Sequence, residues 1–158
     1  MKPSFTKRLW PLVVSLLISL GTGGLSALLT RNSMDAYGNY QQPPLAPPAW
    51  LFPVVWTVLF VLMGISAYLV YETQSPGRRA ALWIYVIQLA VNFVWPLLFF
   101  RLGLLMPAFW WLVLLLLLIV WMIVLFFRVS PAAAYLQIPY LLWTLFAGYL
   151  NLAIALLN

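Results

Sequence analysis

The sequence predicts an all-α membrane protein, a single domain over residues 1–158 whose five transmembrane helices form a bundle. Of its 158 residues, 66% are hydrophobic and only 6% are charged, which is too little polar material for the surface of a soluble domain. The few charged residues separate uncharged apolar runs, and each run reaches the ~20 residues that a helix needs to cross a bilayer. The runs lack the alternation of polarity that is typical of transmembrane β-strands.

The charged residues also set the order and bounds of the five spans. We expect helices at roughly 9–29, 50–71, 80–100, 104–127 and 134–157. The first run follows Lys7 and Arg8, and its length and its glycines Gly21, Gly23 and Gly24 favour a retained, closely packed helix over a cleaved signal peptide. The fourth run is apolar almost all round, so we expect it to be the helix most exposed to lipid, or an oligomer face.

The segment 30–49 between the first two spans is the one sizeable polar loop. Pro43, Pro44, Pro47 and Pro48 fix φ and bias the residues before them to extended geometry. Such a stiff loop costs little entropy to order. It is either a plain connector or a lid over one end of the bundle, and the lid requires a cavity below it.

Composition excludes several classes of function. The chain has no Cys and no His, so thiolate and imidazole metal sites are excluded, and Asp35 and Glu72 are its only carboxylate side chains. We therefore expect no metal site and no paired-carboxylate catalysis. The net charge of +6 comes from bases scattered at the ends of apolar runs, which is the membrane pattern and argues against a nucleic-acid partner.

The distribution of basic residues predicts the orientation. With five spans, six basic residues share one side of the membrane: Lys2, Lys7, Arg8, Arg78, Arg79 and Arg128. Only Arg31 and Arg101 lie on the other side. The positive-inside rule then places the N-terminus in the cytoplasm and the C-terminus outside, for a protein of a bacterial cell membrane.

Polar residues inside the third span share one face. Gln88, Asn92 and Trp95 follow each other at helical spacing, and amides are expensive in lipid, so this face should point into the bundle. The residues serve either as interhelical hydrogen-bonding partners or as ligand-binding groups. Pro96 should kink the helix and free the carbonyl of Asn92.

Aromatic and small residues form matching stripes on two other spans. Trp56 and Phe60 share a face of the second span, and Trp143, Ala147 and Leu150 share a face of the fifth. A small residue one turn from a Trp leaves a hollow beside a flat ring, although such stripes are more often simple packing.

Other tryptophans stand near helix ends. Trp50 marks the junction of loop and second span, where it fits either the rim of a pocket or an interfacial anchor. Trp10, Trp110 and Trp111 fit interfacial anchors.

Three stretches in register resemble one known family. The runs PPLAPPAWLFPVVWTVLFVLMG from Pro43, QLAVNFVWPLLFF from Gln88 and PYLLWTLFAGYLN from Pro139 are together similar to the TspO/MBR family of tryptophan-rich sensory proteins and translocator proteins. The resemblance covers nearly the whole chain. It implies a five-helix bundle, usually a homodimer, that binds tetrapyrroles such as protoporphyrin IX and other hydrophobic molecules in a pocket beneath the first loop.

The resemblance also implies roles for individual residues. Some bacterial relatives degrade porphyrin in light and oxygen with two pocket tryptophans, which match Trp56 and Trp143 here. Ligand-wall positions of the family match Asn92, Trp95, Ala147 and Leu150, and to these the residue patterns add Trp50, Phe60 and Gln88 as candidates. No cofactor is expected to be tightly bound: without His or Cys, free porphyrin is favoured over ligated haem.

The chain departs from the family pattern at several positions. Leu45 and Ala36 stand where relatives often carry Trp, and Trp111 replaces an Asp. No basic residue follows Tyr149, so the cholesterol-recognition pattern of animal relatives is missing. Two alternatives stay open beside tetrapyrrole binding: a small transporter or flux regulator, and a structural assembly partner that uses the glycines of the first helix.

Overall fold

The computed structural model describes residues 5–158 and the side chains from residue 9 onward. In this part of the chain it has the predicted all-α architecture, with five apolar segments long enough to cross a membrane. The helices are α1 (Phe5–Thr30), α2 (Asp35–Asn39), α3 (Leu51–Glu72), α4 (Arg78–Pro96), α5 (Leu105–Val129), α6 (Pro131–Leu136) and α7 (Ile138–Leu157). The fifth span is formed by α6 and α7 together, Pro131–Leu157.

Prolines shape the ends of two spans. Pro131 and Pro139 lie in the first turns of α6 and α7, where the missing N–H has no intrahelical partner to lose. The third span runs past Pro96 as a π-helical segment, Leu97–Arg101, in which the Leu102 N–H bonds the Leu97 carbonyl at 3.0 Å. The predicted disturbance at Pro96 is therefore a widening of the helix, which ends at Gly103 with φ +63°, a conformation that favours glycine.

The fourth span is not the helix most exposed to lipid, so the first of the two alternatives predicted for it is wrong; an oligomer face stays a prediction. In the most apolar stretch of α1, 11% of the residues are buried, whereas 33% are buried in the corresponding stretch of α5. Helix α5 packs against α4, α6 and α7 along a stripe at helical spacing that includes Leu112, Leu115, Ile119 and Met122. An all-apolar sequence does not reveal this stripe, because lipid and protein interior are equally apolar.

Helix α1 is held to α3 by close contact at glycines. A Cβ on Gly64 would lie 3.0 Å from the Leu16 backbone Cα, and a Cβ on Gly23 would lie 2.3 Å from the Phe60 ring. The Ser15 hydroxyl donates to the Gly64 carbonyl at 2.6 Å. Small residues thus allow the two backbones to approach. By contrast, Gly21 and Gly24 have open space where a Cβ would stand.

The segment between α1 and α3 lies across one end of the bundle. Two hydrogen bonds tie it to the fifth span and its end: the Tyr149 hydroxyl donates to the Pro44 carbonyl at 2.8 Å, and the Gln41 N–H donates to the Asn158 side chain at 2.9 Å. Within the segment, the Tyr37 hydroxyl donates to the Pro47 carbonyl at 3.2 Å. Burial raises the pKa of the Tyr37 hydroxyl. We call this segment, residues 31–50, the lid.

Candidate functional site

A cavity of about 90 Å³ lies between α1, α3 and α4, directly beneath the lid. Its α1 side is formed by small and polar residues and its α3 and α4 sides by large rings. The lining residues are Gly23, Ser26, Ala27, Thr30, Met34, Phe52, Pro53, Trp56, Phe60, Asn92, Trp95, Pro96 and Phe100. The cavity is therefore an aromatic chamber with few polar groups, which suits a hydrophobic ligand. We call it the aromatic cavity.

Trp56 is the central ring of the aromatic cavity. Its ring centre lies 5.8 Å from Phe60, 6.3 Å from Trp95 and 6.2 Å from Tyr140. The Trp56 and Trp95 planes differ by 36°, so the two indoles present tilted faces to each other across the α3–α4 contact. The sequence-predicted residues Trp56, Phe60, Asn92 and Trp95 are thus brought together at one site.

A hydrogen-bonded chain joins α4 to α7 beside the aromatic cavity. Asn92 Nδ2 donates to the Tyr140 hydroxyl at 2.7 Å, and this hydroxyl donates to Gln88 Oε1 at 2.7 Å. All three side chains are buried. Gln88 does not line the aromatic cavity, and its polar group bridges helices. Asn92 does both, since it lines the cavity and also contacts Tyr140.

A second hydrogen-bonded chain fixes Trp95. Its indole N–H donates to Asn151 Oδ1 at 3.0 Å, and Asn151 Nδ2 donates to the Leu105 carbonyl at 2.7 Å. The chain therefore spans α4, α7 and the start of α5. Because both partners are buried, it sets the plane in which the Trp95 ring faces the aromatic cavity.

Ala147 and Leu150 lie on the far side of Trp95. They line a separate space of only about 10 Å³ with Tyr37, Phe99, Asn151 and Ile154. This space and the aromatic cavity share three lining residues, namely Phe52, Trp95 and Phe100. These three rings, which we call the partition, thus divide the predicted ligand wall into two parts.

The partition rests on the π-helical segment. Phe99 stacks on Trp95 with ring centres 5.6 Å apart, and Phe100 meets Phe99 edge-on at 4.9 Å. A π-helical turn adds one residue to the helical repeat, which brings the neighbouring Phe99 and Phe100 both into the interior. Such turns are frequent at functional sites.

Three predicted site residues lie outside both cavities: Gln88, described above, Trp143 and Trp50. Trp143 contacts Phe52 at 5.9 Å and Phe146 at 5.5 Å, and it lines a groove between α3 and α7. Its buried indole N–H has no hydrogen-bond partner among the described residues. Trp50 is 66% exposed at the start of α3, the position of an interfacial anchor.

Sequence reasoning missed several residues of the site. Tyr140 shares a helical face with Ala147 and Asn151, and this spacing could have indicated it. Phe100 gave no signal, since its inward position depends on the π-helical turn. Trp111 was predicted as an interfacial anchor, but it is half-buried and donates to the Val91 carbonyl at 2.7 Å; it therefore ties α5 to α4.

Comparison with known proteins gives one consistent result. The model of the TspO/MBR family matches residues 13–157. A protein of Archaeoglobus fulgidus named tryptophan-rich protein TspO is 35% identical over 148 residues, covering 93% of this chain and 96% of its own. The translocator protein of Bos taurus is 38% identical over 141 residues, which is 87% of this chain and 83% of its own. The tryptophan-rich sensory protein of Cereibacter sphaeroides is 31% identical over 149 residues, which is 94% of this chain and 92% of its own.

Removing the Tyr140 hydroxyl should destabilise the bundle. In Tyr140→Phe, both Gln88 Oε1 and Asn92 Nδ2 lose their partner inside the membrane, so we expect a loss of about 1–3 kcal/mol in the free energy of unfolding. Tyr135→Phe is the matched control, because Tyr135 is exposed on α6. The measurement is unfolding of the purified protein in mixed micelles by an increasing fraction of a denaturing detergent. Equal midpoints for the two variants would contradict the role assigned to Tyr140.

Proposed function

The chain belongs to the TspO/MBR family of integral membrane proteins, and from this premise we propose that it binds a tetrapyrrole such as protoporphyrin IX in the aromatic cavity. Its role is then sensory or porphyrin-handling. The observation that carries the proposal is the position of Trp56, Trp95 and Asn92 around one cavity beneath the lid. A porphyrin is a large flat π-system, and the faces and edges of indole rings are favourable contacts for it.

The size of the aromatic cavity indicates that binding requires a rearrangement. Its volume of about 90 Å³ is well below the ~300–1,000 Å³ of typical ligand pockets. The neighbouring space beside Ala147 and Leu150 is separated from it only by the shared rings of Phe52, Trp95 and Phe100. We expect a displacement of Phe100 to join the two spaces. Asn92 and Trp56 then form one wall of a larger pocket, and Ala147 and Leu150 form the other.

The propionates of a porphyrin need donors near the water. Arg31 is exposed in the short 3₁₀ turn directly after Thr30, which lines the aromatic cavity. A guanidinium binds carboxylates through paired N–H groups. Gln42 is the weaker candidate, because its side-chain amide already donates to the Tyr37 carbonyl. We therefore assign the propionate contact to Arg31.

Filling the space beside Ala147 should weaken porphyrin binding. We expect Ala147→Phe to raise the Kd for porphyrin about tenfold, because the added ring occupies space that the ligand needs. Overpacking of this wall costs the bound state about 1–3 kcal/mol. Ala90→Phe, at an exposed position of α4, is the matched control. Phe100→Ala should lower the Kd, because it removes the partition. The measurement is quenching of tryptophan fluorescence by protoporphyrin IX in detergent, with thermal unfolding recorded for each variant.

Two outcomes would contradict the binding proposal. One is quenching of the native chain that does not exceed the quenching of an unrelated membrane protein. The other is a folded Ala147→Phe and a folded Phe100→Ala that both bind like Ala90→Phe. The opposite signs expected for the two substitutions separate a change of the pocket from a general loss of stability.

Light- and oxygen-dependent degradation of the porphyrin is a second candidate function, which the position of Trp56 favours. The bound macrocycle absorbs the light and molecular oxygen is the oxidant, while the protein supplies position. In Trp56→Phe we expect the bleaching of porphyrin absorbance to slow severalfold. Trp143→Phe should have a smaller effect, because Phe52 separates Trp143 from the aromatic cavity. The assay compares illuminated and dark samples with porphyrin in empty micelles. Native protein that bleaches porphyrin no faster than empty micelles refutes this activity.

We propose that the protein lies in a cell membrane with its N-terminus in the cytoplasm and the lid outside. The chain has no Cys, so single cysteines report orientation directly. In intact cells an impermeant maleimide should label Gly38→Cys, a lid position with open space around its Cβ. Ser75→Cys, in the link between α3 and α4, should be labelled only after permeabilisation. The reverse pattern would overturn the orientation.

A further inference from the structure

A groove of about 390 Å³ lies at the end of the bundle opposite the lid, between the first half of α1, the end of α3 and the first half of α4. Four aromatic side chains line it, those of Trp10, Tyr68, Tyr71 and Tyr85, and most of the other lining residues are aliphatic, among them Leu82 and Val86. It shares no residue with the aromatic cavity. We call it the α1–α4 groove.

We propose that the α1–α4 groove binds an anionic glycerophospholipid, with an acyl chain in the groove and the phosphate at Arg78. The site is independent of the proposed tetrapyrrole pocket. The proposal combines two features: an apolar groove open to the bilayer and a fixed cation at its rim.

The groove opens on the outer sides of α1 and α4, two helices apolar enough to cross a membrane, so its opening faces lipid in an embedded bundle. Trp10 is 68% exposed and Val86 is 50% exposed on the sides of α1 and α4, and both residues lie within apolar membrane-spanning helices. An occupant must therefore reach the groove from the bilayer. Acyl chains fit this requirement, and each methylene that leaves the lipid phase for the groove gains dispersion contacts with the ring faces.

Arg78 is held at the rim of the groove. Its guanidinium lies 5.7 Å from the centre of the Tyr71 ring, and its Nη1 donates to the Tyr71 carbonyl at 2.9 Å. A guanidinium has five N–H donors, so this hydrogen bond fixes the group and leaves donors for a phosphate. Arg–phosphate pairs are strong because they are charge-assisted and bidentate.

The charges at this end favour an anionic over a zwitterionic lipid. Arg79 adjoins Arg78, and Arg128 lies at the end of α5 on the same side of the bundle. The Val129 side chain lies 3.4 Å from the Cβ position of Gly77, which shows that the two links meet. Glu72 is the one carboxylate among the described side chains of this end. A phosphate without a neighbouring ammonium is therefore the complementary headgroup.

Tyr85 forms part of the floor of the groove. Its side chain is 4% exposed, and its hydroxyl is buried next to the Ser19 side chain. Tyr85 therefore offers an occupant the apolar part of its ring, which suits an acyl chain.

Native mass spectrometry of the purified full chain in detergent tests the proposal. The probes are phosphatidylglycerol and phosphatidylcholine with identical acyl chains. We expect phosphatidylglycerol to bind with a Kd at least about fivefold lower, the factor that one juxtamembrane basic residue contributes. Arg78→Gln should remove this preference and Arg78→Lys should keep most of it. Arg128→Gln, an equal loss of charge on the same side, should reduce it much less than Arg78→Gln, because Arg128 adds to the positive potential of this end, whereas Arg78 is held at the rim of the groove.

A second pair of variants tests the groove itself. Val86→Phe places a ring in the groove at a half-exposed position and should raise the Kd for phosphatidylglycerol about fivefold or more. Ile87→Phe is the control, because Ile87 is the neighbouring exposed residue outside the groove, and it should leave this Kd unchanged. Equal binding of the two lipids by the native chain overturns the proposal. So does a loss of preference in Arg128→Gln that matches the loss in Arg78→Gln. A change from dimer to monomer in Val86→Phe, read in the same spectra, would assign the groove to a second copy of the chain instead.

Discussion

The bridge from Gln88 through the Tyr140 hydroxyl to Asn92 is the contact on which the arrangement of the site depends. Inside a bilayer, packing and hydrogen bonds between helices replace the hydrophobic effect as the specific attraction. One hydroxyl here binds two amides of α4 at 2.7 Å each, so it fixes both the rotation of α4 and its register against α7. Trp95 follows Asn92 on the same face, and its own hydrogen bond to Asn151 repeats the constraint one turn later. The positions of Asn92 and Trp95 in the α4 wall of the aromatic cavity are therefore set by their hydrogen bonds to α7, behind that wall.

The opposite wall is held by different forces. Helix α1 contributes Gly23, Ser26 and Ala27 to the aromatic cavity. It approaches α3 closely at Gly64, and its hydroxyl groups donate hydrogen bonds to neighbouring helices, such as that of Ser26 to the Phe93 carbonyl at 3.2 Å. It is also the least buried span. Segments with few buried contacts open at lower free energy than the core. The α4–α7 wall of the cavity is thus tied by buried hydrogen bonds, whereas the α1 wall is held by close packing against α3.

The sequence predicts the parts of this structure that follow from composition and helical spacing. The five spans and the shared face of Gln88, Asn92 and Trp95 are of this kind, because amides avoid lipid whatever the tertiary context. It does not predict which face of an all-apolar helix is buried, and for this reason it wrongly predicts α5 as the helix most exposed to lipid. It also cannot place residues whose direction depends on a local irregularity: Phe99 and Phe100 both point inward only because the helix widens after Pro96.

The lid and the partition between the two cavities form one aromatic cluster. Tyr37 meets Phe52 edge-on at 5.1 Å and lies 6.5 Å from Phe100, while Tyr40 meets Phe99 at 6.3 Å. The rings that must move to join the cavities are thus the rings on which the lid rests. Leu45, at the exposed turn of the lid, has φ +68°, a conformation that costs a residue with a Cβ about 1–2 kcal/mol. This strain is local to the turn, where the Ala46 N–H bonds the Pro43 carbonyl at 3.3 Å. The contacts of Tyr37 and Tyr40 with Phe100 and Phe99 couple the lid to the partition, so we expect lid opening and pocket enlargement to occur as one transition.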